Sequence, residues 1–219
     1  MKIKMKNYAF LIFIFNFLFI GSLIAGEGGD FYNEKMKKLN KLRSELFKNY
    51  DNKQKVKEIT DKTRKVIKNL IDIKNMSKYV LGKFYNNSKY VSAKQRMEFL
   101  SLFNRLITDK VVNANMPEKK SLIKKIDLEV KKDSSIADTI FKRKAFVVYT
   151  NLKKDGIMYD VNFYFGKDDN KMTLYDIRID DNSTLLDYKN YFARLIRKKG
   201  MEYLLNKIRL KINQVEKVR

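Results

Sequence analysis

Cysteine and histidine are both missing from these 219 residues. Without cysteine there are no disulfides, no thiolate nucleophile and no Cys-ligated zinc. Without histidine the commonest metal ligand and the usual general base near neutral pH are gone. A Ser-His-Asp triad is therefore excluded, and any catalysis would fall to carboxylates, Lys or Tyr. Proline occurs once, at Pro117. Acid is scarce against base: 25 Asp and Glu face 48 Lys and Arg, for a formal charge of +23. Such a charge suits nucleic acid, an anionic membrane surface or an acidic partner. The lysines are nevertheless spread along the whole chain with no basic block, the pattern of solvated faces and compositional drift.

What is present speaks for a folded chain. Hydrophobic residues make up 44% and aromatics 13%, too many for disorder and enough for one domain with a substantial core. Lys2, Lys4 and Lys6 precede an apolar run from Tyr8 to Ile20, followed by small residues at Gly21, Ser22, Ala25 and Gly26. That is the pattern of a secretory signal. The run is short for a membrane span, which needs about 20 residues, so an uncleaved anchor is the weaker alternative. Cutting after Ala25 removes three lysines and no acid, leaving +20. The expected division is a signal peptide over 1–25 and a single domain over 26–219. Export also makes nucleic acid an unexpected partner.

Glu27 to Asp30 reads as a flexible new terminus. Two amphipathic helices follow. Tyr32 to Tyr50 carries Met36, Leu39, Leu42, Leu46 and Phe47; Lys53 to Ile73 carries Val56, Ile59, Val66, Ile67 and Leu70. A short helix spans Met76 to Tyr85 with Gly82 inside it, where close packing would justify the glycine. Ser92 and Gln95 form a capping box opening a strongly apolar helix from Ala93 to about Val112. Pro117 ends that region. One strand is expected near Ile126–Lys131 and a loop from Lys132 to Thr139.

The clearest stretch comes next. Three segments alternate apolar and polar residues: 145–150, 158–165 and 172–179. Turns are expected at Asp155-Gly156 and over Gly166–Asn170, so these strands are antiparallel neighbours. By alternation, Ala145, Val147 and Tyr149 are expected to share a face with Tyr159, Val161, Phe163, Phe165, Thr173, Tyr175, Ile177 and Ile179. After a turn at Asp180–Ser183, Asn182 or Ser183 caps a helix that stops at Gly200. A last helix starts at Met201.

These residues carry a resemblance. The run from Asn75 to Phe84, with Leu81-Gly82-Lys83, and the run from Ser92 to Phe103, with Gln95-Arg96, Phe99 and Phe103, resemble the pattern of the MlaC (toluene-tolerance) family. So do Val161–Tyr164, Leu174–Ile177, Asn182–Tyr188, Phe192 and Lys199–Leu204. The order and spacing match over roughly 70–208. Two positions depart: Met172 stands where the family has Trp, and Lys189 where it has Arg, which a lysine cannot replace in forked contacts.

The resemblance implies an α+β fold of the NTF2-like, MlaC type. A curved antiparallel-rich sheet would be covered by several helices and enclose a hydrophobic cavity. It implies a periplasmic, monomeric, non-enzymatic carrier of glycerophospholipid, without cofactor or metal. Its partners would be an inner-membrane ABC transporter complex with an MCE-domain subunit and an outer-membrane lipoprotein–porin complex. The expected result is maintained outer-membrane asymmetry. Expected cavity-lining residues are Val80, Phe84, Phe99, Phe103, Val147, Tyr149, Val161, Phe163, Tyr175 and Ile177; each taken alone is more readily read as an ordinary core residue. Two other classes remain. A secreted hydrolase could use Asp160, Asp176 and Asp180, the first two of which could meet on one sheet face. A basic surface-binding module would use the charge alone.

Overall fold

A computed structural model describes residues 26–114, 127–154, 157–169 and 171–217. The expected signal segment, the Pro117 region and the Asp155-Gly156 turn lie outside these residues. Four helices precede the sheet: α1 (Glu27–Lys48), α2 (Lys53–Leu70), α3 (Ile73–Leu81) and α4 (Ala93–Ala114). The sheet holds β1 (Asp127–Ala137), β2 (Lys144–Lys154), β3 (Ile157–Asp168), β4 (Lys171–Ile179) and the two-residue β5 (Asn182–Ser183). Its order is β1-β2-β3-β4-β5, every neighbour antiparallel. A final helix, α5 (Thr184–Lys217), is broken at Gly200, where φ is 81° and ψ 169°. The fold is α+β with a curved, open antiparallel sheet, as expected.

Local chemistry explains most boundaries. The Asn52 side chain accepts from Lys55 N at 3.0 Å and starts α2. Ser92 Oγ accepts from Gln95 N while Gln95 Oε1 accepts from Ser92 N, so the capping box of α4 is complete. Ser183 Oγ accepts from Leu186 N at 3.0 Å and opens α5. Between β4 and β5, Asp180 and Asp181 both have positive φ, 46° and 63°, as a two-residue turn of the primed type requires.

Several expectations need correction. Glu27–Asp30 is not a flexible end but the first turn of α1. Gly28 and Gly29 are buried; Gly29 N donates to Asp133 Oδ2 at 2.9 Å; Glu27 pairs with Lys144 and Lys167. A side chain at Gly28 would meet Phe146 Cβ at 2.8 Å, so the glycine permits close helix–sheet approach. The second helix stops at Leu70, before Ile73, because Ile71 bridges Leu174 in parallel and Asp72 N donates to Leu174 O. Asp72 then caps α3 through Asn75 N. Gly82 is not inside an α-helix but ends α3 with φ 52°, a conformation that suits glycine, and opens a single 3-10 turn over Gly82–Phe84.

The fourth correction concerns Lys132–Thr139. Lys132 to Ala137 continue β1, paired from Lys132↔Tyr149 to Ala137↔Lys144, after a bulge between Val130 and Lys132. The alternation is weak there because β1 is an edge strand, and polar edges are tolerated and protective. Likewise Gly166 and Lys167 remain in β3, opposite Thr173 and Met172, rather than in the turn.

Another is the grouping of faces. Val148 lies opposite Phe163, and Thr150 opposite Val161, whereas Val147 and Tyr149 oppose Tyr164 and Asn162. Val147 and Tyr149 therefore share the face of Tyr164, not that of Val161 and Phe163. Adjacent apolar residues on both sides of β2 hid the parity. A second bulge, between Tyr164 and Phe165 on the β3–β4 ladder, disturbs the alternation again. The ring of Tyr175 packs edge-on against Phe141 at 5.3 Å and Tyr164 at 6.2 Å.

Candidate functional site

Helices and sheet contribute to one continuous apolar interior. Val80, Phe84, Phe99 and Phe103 form its helical wall, all exposed by 2% or less. Phe99 and Phe103 stack at 5.4 Å, one turn apart on α4. Both present to the Phe192 ring, at 5.6 and 5.9 Å, and Phe103 also meets Tyr188 at 5.7 Å. Helical periodicity on α4 and α5 turns these rings toward one another in edge-on contacts, and the caps at Ser92 and Ser183 fix where each helix begins.

On the sheet, Val161, Phe163 and Ile177 share one face, with Val161 opposite Ile179 and Phe163 opposite Ile177. Helix α1 covers this face: Tyr32 tilts over Phe163 at 5.4 Å, and Phe31 meets Phe165 at 5.5 Å. Val147, Tyr149 and Tyr175 serve the other face, with Tyr164 and Phe141. Nine of the ten expected lining residues are buried in one connected cluster, and Tyr149 is half-buried against it. The fold thus brings all ten to one interior but splits the six sheet residues between two faces.

Sequence reasoning missed Tyr32 because it was read as lying beside a loose terminus. This tyrosine is fully buried, and its hydroxyl has no hydrogen-bond partner among the described residues. Burial pushes its phenol pKa well above the ordinary tyrosine value. Among apolar rings, such a donor is costly unless something accepts from it. Phe163 and Phe165 were visible as apolar strand residues, but the packing of α1 that makes them Tyr32's neighbours was not.

The carboxylates do not assemble into an acid–base pair. Asp176 lies opposite Tyr164, four residues along β3 from Asp160, about 13 Å away at the rise of a strand. Its side chain accepts from Ile177 N, from Leu185 N at 3.0 Å and from Arg178 Nε at 3.4 Å. Burial raises its pKa, while the bonds from Leu185, Ser183 and Arg178 pull the other way. Asp176 is a structural acceptor that pins the start of α5 to β4. Asp160 N donates to Asp180 Oδ1, a turn contact at an exposed edge. Among the described residues, no group of three or more acidic side chains is placed to hold a metal.

One charged cluster is built into the end of the sheet. Arg143 pairs with Asp72 at 2.8 Å, with Asp138 at 3.5 Å and with Asp168. Its guanidinium lies over Phe141 at 5.1 Å and Tyr175 at 5.4 Å. A side chain at Gly166 would strike Arg143 Nε at 2.1 Å, so glycine makes room for the arginine. The cluster ties the α2–α3 junction, the β1–β2 connection and the end of β3 together. With three carboxylates around one cation the cluster is formally acidic, and all three carboxylates are held by the arginine.

Comparison with known proteins fits this geometry. No curated protein matches the chain. A phospholipid-binding protein from Ralstonia solanacearum, solved in complex with a phospholipid, is similar in fold. The TM-score is 0.59 at 20% identity, covering 84% of this chain and 97% of that one. The profile of the family described as MlaC protein matches residues 37–210. That span runs from within α1 to within α5 and contains all ten expected lining residues, so the chain belongs to the MlaC family.

Proposed function

We propose that this protein binds a glycerophospholipid and carries it across the periplasm between membrane complexes. The observation that supports the reading most is the family match across the whole folded body. The interior has the right chemistry. Each acyl CH₂ left in water costs about 0.8 kcal/mol, so a carrier must enclose its cargo's tails. A wall of Val80, Phe84, Phe99 and Phe103 facing apolar sheet residues is suited to that, once tails part side chains that otherwise fill the space. The Ralstonia relative's bound phospholipid supports the same class of cargo here. In this reading the Tyr32 hydroxyl, unpartnered among the described residues, donates to an ester oxygen of the lipid.

Export by the N-terminal segment and exchange with an inner-membrane ABC complex and an outer-membrane lipoprotein–porin complex belong to the same proposal. The hydrolase reading has no comparable support, since Asp176 is tied into the fold and Asp160 and Asp180 meet only at a turn. The direct experiment extracts the purified mature protein with organic solvent and analyses the extract by mass spectrometry. Stoichiometric phospholipid is expected. Protein that emerges without lipid, and takes up none from added vesicles, would sink the proposal.

A further inference from the structure

The α1–α2 hairpin has features that the interior does not use. Its distal half is held by its own small cluster, Leu42, Leu46 and Ile59, separate from the main core. Past that cluster, at the tip, two aromatics face water: Phe47 is 37% exposed and Tyr50 50%. Along the hairpin runs a groove of about 480 Å³, lined by Lys35, Lys38, Lys41, Lys62 and Lys65 with Glu45 as its one acid. Its floor is apolar, formed by Leu42, Val66 and Leu70. Lys35 and Lys62 pair with Glu34 and Glu58 on their own helices. Lys38, Lys41 and Lys65 are exposed.

The geometry points to the α1–α2 hairpin as a docking element for an anionic phospholipid surface. Phe47 and Tyr50 would enter the headgroup layer, and the groove lysines would contact lipid phosphates. Three features favour a membrane over an acidic protein. Exposed aromatic rings at the end of a basic hairpin are the residues that settle at a bilayer interface, apolar body inward and polar edge outward. Lysines around an apolar floor can lay their stems on it and keep their ammonium groups at phosphate level. A hairpin with its own cluster can present its tip without disturbing the main body. Among the described residues no helix is long and apolar enough to span a bilayer, so the contact would be peripheral. This docking is independent of the cargo reading: a lipid-loaded protein that fails to dock would refute only the docking.

The test is flotation of the mature protein with phosphatidylglycerol–phosphatidylethanolamine vesicles and, separately, with phosphatidylcholine vesicles, at physiological salt. The protein is expected to float with the anionic vesicles and not with the neutral ones. K38E/K41E/K65E should weaken binding roughly a hundredfold, at about a factor of five per lysine near an anionic surface. F47S/Y50S should weaken it roughly tenfold, since each ring contributes interfacial apolar area. K94E/K198E/K211E alters three exposed lysines elsewhere and should retain most binding; all variants are checked for folding by circular dichroism. Equal loss in the control triple, or full binding by F47S/Y50S, would overturn the proposal. So would wild-type protein that ignores anionic vesicles yet binds immobilised polyglutamate through the same lysines, because that marks an acidic protein site.

Discussion

The body of the molecule and the tip of the α1–α2 hairpin are made from similar residues put to opposite use. In the body, aromatic rings are sealed: Phe99, Phe103 and Phe163 are exposed by 1% or less. At the tip, Phe47 and Tyr50 face water, beside a cluster of only three buried side chains. Charges follow the same division. One cation of the body, Arg143, is surrounded by Asp72, Asp138 and Asp168, while the hairpin's groove gathers five lysines around one glutamate. The comparison teaches that composition does not assign roles here. An aromatic or a cation becomes structure or contact surface according to whether the fold supplies it a partner.

The sharpest way to break that contrast is to cut into both cores. Phe103→Ala should destabilise the whole protein by about 4 kcal/mol, the cost of a large cavity in a well-packed interior. It should appear as one cooperative shift in urea unfolding. If the loss is below ~1 kcal/mol, the helical wall is not tightly packed. Next is Asp176→Ala, which leaves Leu185 N without its acceptor and should cost about 2–3 kcal/mol. Asp176→Asn should cost less, since an amide oxygen can still accept.

This pair also has a pH signature. Burial holds the Asp176 pKa above the ordinary carboxylate value. The folded protein therefore keeps that proton to higher pH than the unfolded chain does. This group's contribution is most favourable below the ordinary carboxylate range and declines as pH rises through its raised value. The stability of wild type relative to Asp176→Asn should fall over that interval. A flat difference from about pH 3 to about pH 8, which brackets the ordinary carboxylate pKa, would count against a raised value.

Leu46→Ala should cost less, about 2 kcal/mol, because a three-residue cluster at a surface can relax around the gap. Hydrogen exchange should speed up around Leu42, Leu46 and Ile59 while the sheet amides stay protected. Acceleration throughout would erase the boundary between tip and body. Tyr32→Phe removes a buried, unpartnered hydroxyl and should change stability by no more than ~1 kcal/mol, in the stabilising direction. It should also lower the phospholipid recovered from purified protein; unchanged recovery would remove Tyr32 from the cargo's contacts. Smallest is Phe47→Ser, expected within about 0.5 kcal/mol as for ordinary surface changes, whatever it does to vesicle binding.

How legible all this was depends on how local each cause is. The capping box at Ser92 and Gln95, the cap at Ser183 and the break at Gly200 were readable because donor and acceptor lie within a few residues. The three central strands were readable from alternation. The faces were not. Phe146, Val147 and Val148 are apolar in a row, so β2 offered no parity, and the bulges near Lys132 and Tyr175 are set by neighbouring strands. Polar β1 resembled a loop because an edge strand has little apolar demand. The ten expected lining residues lie in or against one interior, yet Tyr32 escaped because its partners lie in strands far along the chain.

That separation bears on the order in which the chain acquires its structure. Gly29 and Asp133 are 104 residues apart, and Glu27 and Lys167 are 140 apart. Helix α1 leads the folded body in sequence and can pair with α2 through neighbouring contacts. Its first turn, however, has nothing to close on until β1, β2 and β3 are assembled. Long-range closures of this kind are slow because loop entropy must be overcome before contacts form. The leading turn of α1 is thus expected to lock last, sealing Gly28 against Phe146 over a sheet already in place.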